Sequence, residues 1–188
     1  MRVAQIRSMD ISNGEGIGVS IFTSGCPYHC EGCHNISTWA VNGGDEYSQE
    51  TKEQILELVQ KTHISRFSIL GGEPLLPQNV APLLDLLESV KKVRPDIKIW
   101  LWTGTTIESL QHLLQHAPIE DEKLSALSWS SFNLIHLNKI LQMVDYLIDG
   151  RFIQEKKDLT LKWRGSSNQR VLDCKKSMAQ QSAVLADI

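Results

Sequence analysis

The stretch Gly18-Val19-Ser20-Ile21-Phe22-Thr23-Ser24-Gly25-Cys26-Pro27-Tyr28-His29-Cys30-Glu31-Gly32-Cys33 decides how the rest of the chain is read. Its first six residues have the β-branched and aromatic content of a strand, and Gly25 ends that strand immediately before the first cysteine. Three thiols then follow in a CxxxCxxC loop at the strand's end. Gly25 and Gly32 let the backbone turn tightly enough for the three sulfurs to converge on one metal centre. A structural zinc site closes with four ligands, and His29, His34 or distant Cys174 are the candidates for the fourth. A [4Fe-4S] cluster held by three cysteines instead leaves one iron open to a small ligand. The spacing favours the cluster, with zinc and unrelated buried or redox thiols as the alternatives; a redox pair would not explain the third thiol.

Working outward, residues from Thr51 to about Thr62 carry Ile55, Leu58 and Val59 at helical spacing, with Ser48 or Thr51 as cap. Phe67 to Leu70 reads as a short buried strand. Pro77 opens a second helix whose apolar face includes Val80, Leu83, Leu84, Leu87 and Val90, and which stops before Pro95. Ile97 to Trp102 is another strand, Gly104 breaks it, and Thr105 or Thr106 caps a helix carrying Ile107, Leu110, Leu113 and Leu114. Met143 to Ile148 returns to a strand, ended by Asp149-Gly150. This alternation predicts βα units around a mostly parallel sheet. Residues 117 to 139 lack a clean period and read as one irregular helix or a lid. Leu159 to Trp163 alternates as a short strand would, and Cys174 onward reads as a frayed terminal helix.

The chain has 188 residues, 41% of them hydrophobic, which predicts one domain with a radius of gyration of about 16 Å. We divide it into residues 1–171 and a tail, 172–188. With 19 basic against 22 acidic residues, the net charge of -3 gives no general drive towards nucleic acid or an anionic membrane. The N-terminus lacks the succession of a secretory leader, so a cytoplasmic protein is expected. Four cysteines are too few for a disulfide scaffold of this length.

Leu70-Gly71-Gly72-Glu73-Pro74 follows a predicted strand, where its glycines permit close backbone approach and Glu73 offers an acceptor suited to an amine-bearing ligand. Gly14-Glu15-Gly16-Ile17-Gly18 suggests a tight ligand-contacting loop, but it precedes a strand and is no dinucleotide fingerprint. Lys156, Lys157, Lys162, Arg164 and Arg170 form a basic run that could meet an acidic partner surface.

Several motifs in order carry a resemblance. They are Asp10-Ile11-Ser12-Asn13-Gly14-Glu15-Gly16, the loop from Ser24-Gly25-Cys26 through Cys33-His34-Asn35, Thr38-Trp39, Gly71-Gly72-Glu73-Pro74-Leu75, and Trp102-Thr103-Gly104. Asp149-Gly150-Arg151-Phe152 and Trp163-Arg164-Gly165-Ser166-Ser167-Asn168-Gln169 complete the set. Together they resemble the radical S-adenosylmethionine superfamily and, within it, the family that activates anaerobic ribonucleoside-triphosphate reductases. The last two segments point to that family. Two positions depart from the wider pattern: Gly32 stands where many radical enzymes carry an aromatic residue, and Thr105 replaces a tyrosine.

The resemblance implies a compact, open or incomplete (βα) barrel of about five or six parallel strands. It implies that Cys26, Cys30 and Cys33 hold a [4Fe-4S] cluster and that S-adenosylmethionine occupies the open iron. Gly71, Gly72 and Glu73 would lie along its amino group, and Asn13, Gly14 and Gly16 near the substrate opening. Reductive cleavage would give a 5'-deoxyadenosyl radical that takes a Cα hydrogen from a glycine of the large reductase subunit. An external one-electron donor is implied, and no protein acid or base is needed. The alternatives are activation of another glycyl-radical enzyme, such as a formate-producing lyase, and a zinc-stabilised interaction module. Asn168 and Gln169 are candidates for nucleoside or partner recognition.

Overall fold

The central strands are buried on both faces, which requires cover on both sides. In the computed structural model, which describes residues 1–115 and 129–188, β1 (Arg2–Asp10) is followed by β2 (Gly18–Thr23) and the two-residue β3 (Asp45–Glu46). Next come α1 (Gln49–Val59), β4 (Arg66–Gly71), α2 (Pro77–Val93), β5 (Lys98–Trp102) and α3 (Ile107–Gln115). The chain ends with α4 (Ser131–Met143), β6 (Tyr146–Asp149), β7 (Arg170–Asp173) and α5 (Cys174–Gln180).

These strands form one seven-stranded sheet in the order β3-β1-β2-β4-β5-β6-β7. The pairs β2–β4, β4–β5 and β5–β6 are parallel, and β1 and β7 flank them antiparallel. The linear order leaves the sheet open, an incomplete barrel. Its parallel part has four strands, fewer than the five or six expected, because the outer positions are taken by antiparallel strands.

The two-residue period of the strands separates two environments. Val19, Ile21, Phe67, Ile69, Ile99, Leu101 and Leu147 face the helices and pack with Ile55, Leu83, Leu87, Leu110 and Ile140. On the other face Trp100 and Ile148 pack with Trp102, Tyr146 and Trp163. That second face also carries Arg66, wholly buried, whose guanidinium donates to the Asp10 carbonyl at 2.5 Å and Ser68 Oγ at 2.6 Å and lies 3.5 Å from the Asp10 carboxylate.

Most helix boundaries follow the expected chemistry. Ser48 caps α1 by accepting the Thr51 N–H, and α2 starts at Pro77. Within the segment read as an irregular helix or lid, Ser130 and Asn133 form a capping box at the start of α4; a lid over 117–128 lies outside the described residues. Two expectations are corrected. Leu159 to Trp163 is a run of turns and bends, not a strand; with no neighbouring strand to bury its apolar side, Leu159 is 79% exposed. The terminal segment is anchored, because Cys174 and Ser177 are buried, Asp173 N–H donates to the Val184 carbonyl and Ala186 N–H to the Val171 carbonyl. No described helix is long and apolar enough to cross a membrane.

Candidate active site

The parallel strands all deliver their C-terminal ends to one cavity of about 650 Å³, a size suited to a ligand of several rings. The loop after β2 contributes Cys26, Cys30 and Cys33, the end of β4 and the loop after it contribute Gly71, Gly72 and Glu73, the loop after β5 Thr103 and Gly104, and the loop after β6 Gly150, Arg151 and Phe152.

Backbone bonds hold the root of the cysteine loop. Gly25 N–H donates to the Thr38 carbonyl at 2.8 Å, Cys26 N–H to the Trp39 carbonyl at 3.1 Å, and Glu73 N–H to the Gly25 carbonyl at 2.7 Å. Gly72 has to be glycine at this crossing, since a Cβ would stand 2.8 Å from the Gly25 carbonyl carbon and 2.9 Å from the Thr38 oxygen. Tyr28, inside the loop, is buried, and its hydroxyl lies 2.5 Å from Thr105 Oγ1. A tyrosine from the cysteine loop thus reaches the position where the wider pattern has one in the β5 loop.

Burial pushes the Cys26 thiol up to about 11 and also raises Cys30, to which neighbouring Cys33 adds. Bare thiolates are disfavoured here; a bound cationic centre would reverse that. Among the described residues no three His, Cys, Asp or Glu side chains gather as ligands of a single metal ion. Three thiols on one cavity wall are the donor set that a four-iron cluster with one open iron takes.

Glu73 is 1% exposed. Its Oε1 accepts from Leu75 N–H at 3.0 Å and Thr103 Oγ1 at 2.8 Å, and its Oε2 accepts from Gly104 N–H at 2.8 Å. Burial pushes its pKa up to about 7 against these three donors. It forms no ion pair among the described residues, so a cation arriving in the cavity would find a preformed acceptor.

Asn13 reaches the cavity wall, held there by Asp10, which accepts Asn13 Nδ2 at 2.5 Å and the Ser12 N–H at 2.6 Å. Burial raises the Asp10 carboxyl, but the hydrogen bonds from Asn13, Ser12 and Ser20 outweigh it and leave the pKa below its ordinary value. Gly14 and Gly16 are not on the cavity wall. Gly14 turns at φ +113 beneath Trp100 and Arg66, and Gly16 at φ +75 beside Ser65. Of the histidines in the cysteine loop region, His34 lines the cavity, whereas His29 stacks on Trp39 at 4.6 Å.

Residues quoted in the sequence only as part of a motif and of a basic run complete the frame. Asp149, fully buried, accepts Arg170 Nε at 2.9 Å and Nη2 at 2.5 Å, and also the Ile107 N–H at 2.8 Å, which ties β6 to the start of α3. Arg170 further bonds Glu108, so it is not free in the basic run. In sequence Asp149-Gly150 is a turn and part of a family motif; the partners of Asp149 lie too far along the chain to be read locally. Cys174 stands apart, buried with its Sγ donating to the Leu141 carbonyl at 3.3 Å.

Against known proteins, the family described as 4Fe-4S single cluster domain matches residues 12–172. Three relatives are each named anaerobic ribonucleoside-triphosphate reductase-activating protein. The one from Vibrio cholerae is 38% identical over 171 residues, 90% of this chain and 96% of that protein. The Escherichia coli relative is 35% identical over 173 residues, covering 91% and 97%. The Haemophilus influenzae relative is 36% identical over 171 residues, covering 90% and 96%.

Proposed function

The chain belongs to the family of anaerobic ribonucleoside-triphosphate reductase-activating proteins, and from that premise we propose that Cys26, Cys30 and Cys33 hold its [4Fe-4S] cluster. In this reading Gly71, Gly72 and Glu73 receive the amino group of S-adenosylmethionine, and the protein is a radical S-adenosylmethionine oxidoreductase acting on the large reductase subunit. The observation that carries it is the placement of all three thiols and the Gly71–Glu73 turn on one cavity. When bound, the cluster and S-adenosylmethionine supply one-electron reductive cleavage and the hydrogen abstraction that leaves a glycyl radical on the reductase.

The chain's own residues bind, orient and exclude water. The crossing at Gly72 sets the cysteine loop against the amino-group acceptor, while Phe22, Leu70, Trp102 and Trp163 give the cavity an apolar lining that keeps water from the reacting atoms. Asn13, fastened by Asp10, offers a polar contact on the same wall. The reductase's glycine loop is the substrate, and an external one-electron donor supplies the electron.

The test is an anaerobic reaction of the reconstituted chain with the reductase, followed by electron paramagnetic resonance for the glycyl radical and by nucleoside analysis for 5'-deoxyadenosine. Both products are expected, and both vanish in Cys30→Ala. Release of 5'-deoxyadenosine without a reductase radical would sink the partner assignment. Zinc in place of iron and sulfide would sink the site.

A further inference from the structure

The Trp163–Gln169 segment was a recognition candidate, yet the amide N–H groups of Asn168 and Gln169 are spent inside the molecule, while Asn168 Oδ1 and Arg164 Nε are buried without a partner among the described residues. Asn168 Nδ2 donates to the Arg151 carbonyl at 2.8 Å, Gln169 Nε2 to the Gly150 carbonyl at 3.0 Å, and Ser166 Oγ accepts the Ile153 N–H at 3.2 Å. Gln169 Oε1 is occupied by the Gly165 and Ser166 N–H groups at 2.9 and 3.2 Å. Three side chains thus grip one short turn, residues 150–153.

That turn in turn lies on the cysteine loop. The Arg151 guanidinium stands 4.5 Å over the Tyr28 ring, between the first and second cysteines. Phe152 and Gln154 crowd Gly32, between the second and third, so closely that a Cβ would stand 2.8 Å from Gln154 Cδ and 3.3 Å from the Phe152 ring. His34, just after the third, meets Phe152 edge-on at 5.9 Å. Each stretch of the loop that bears or follows a thiol has its own contact with the turn.

We propose that Asn168 and Gln169, with Ser166, are positioning residues for the cluster loop: they fix the Gly150–Ile153 turn, and that turn sets the spacing of Cys26, Cys30 and Cys33. The inference rests on the cluster assignment made above. It also accounts for Gly32, which leaves the room that Phe152 and Gln154 fill.

The decisive comparison uses the full chain, reconstituted anaerobically, as wild type, Asn168→Asp and Gln169→Glu. Each substitution keeps shape but turns an N–H donor into an oxygen facing a carbonyl oxygen. Iron loss to a chelator should accelerate roughly 10-fold, as for groups that orient metal ligands. The resonance of the reduced cluster, with and without S-adenosylmethionine, should change shape, while KM for the reductase stays within about twofold and kcat falls. Wild-type resonance and iron retention with a raised KM for the reductase would overturn the proposal in favour of partner contact. Thermal unfolding of the cluster-free variants checks the scaffold; if either fails to fold, Ser166→Ala, which removes the acceptor for Ile153 N–H and a long 3.4 Å bond to Gln169 Oε1, carries the same expectation and the same reversal. A wild-type chain lacking any iron-sulfur spectrum would reject the cluster assignment itself, a result distinct from variants indistinguishable from a normally loaded wild type, which reject only the positioning role.

Discussion

Glu73 and Asp149 stand at equivalent places, each a buried acid where a parallel strand runs out, yet their charges are handled in opposite ways. Asp149 is matched by the Arg170 guanidinium and by the first N–H of α3. Glu73 has only neutral donors, from Leu75, Thr103 and Gly104, and burial pushes it up to about 7. A compensated acid is scaffold; an uncompensated one is an affinity held in reserve for a cationic ligand.

The contrast can be broken at several points. Asp149→Ala should cost about 3 kcal/mol, because it leaves Arg170 only the exposed Glu108 and frees the buried first N–H of α3 together; chemical denaturation of the cluster-free chain measures it, and a loss under 1 kcal/mol would place the compensation elsewhere. Glu73→Gln should act on pH dependence and ligand affinity instead. Wild-type Glu73 is raised from 4.5 to about 7 on folding. The stability this gives is therefore complete below 4.5 and lost as pH rises through about 7, a fall of at most about 3 kcal/mol between pH 5 and 8. The glutamine variant should flatten that fall and bind S-adenosylmethionine at least roughly 10-fold more weakly at pH 8; calorimetry at the two pH values reads both, and an unchanged slope would remove Glu73 from the account. Thr103→Val removes one donor to Glu73 and the acceptor for Thr105 N–H, for about 1 kcal/mol in the same denaturation. Glu108→Gln touches the exposed side of Arg170 and should change stability by about 0.5 kcal/mol or less, showing that Asp149 carries the pairing.

What could be read from the sequence was whatever is local. The CxxxCxxC spacing, the Pro77 start of α2 and the 3.6-residue period of its apolar positions all lie within a few turns of chain. β1 escaped notice because it borders the sheet and keeps much of its length exposed, so Arg2–Asp10 lacks a strong two-residue alternation. Leu159 to Trp163 misled for the converse reason: it alternates, but no strand lies beside it. Arg66, Tyr28, Thr103 and Asp149 act through partners 21 to 77 residues away, a distance over which a single sequence carries no contact signal. Asn168 and Gln169 were visible as a motif, whereas the direction of their amides is a property of the fold alone.

Cys174 has a practical meaning beyond its place in the core. It is fully buried and pushed up to about 12, while Cys26, Cys30 and Cys33 are only partly covered. A thiol reagent applied to the folded, metal-free chain should therefore label the loop and spare the fourth sulfur, which reacts only on unfolding. The chain carries its own internal standard: late labelling of Cys174 counts the folded fraction, and early labelling of the loop, set against it, counts the share of that fraction free of cofactor.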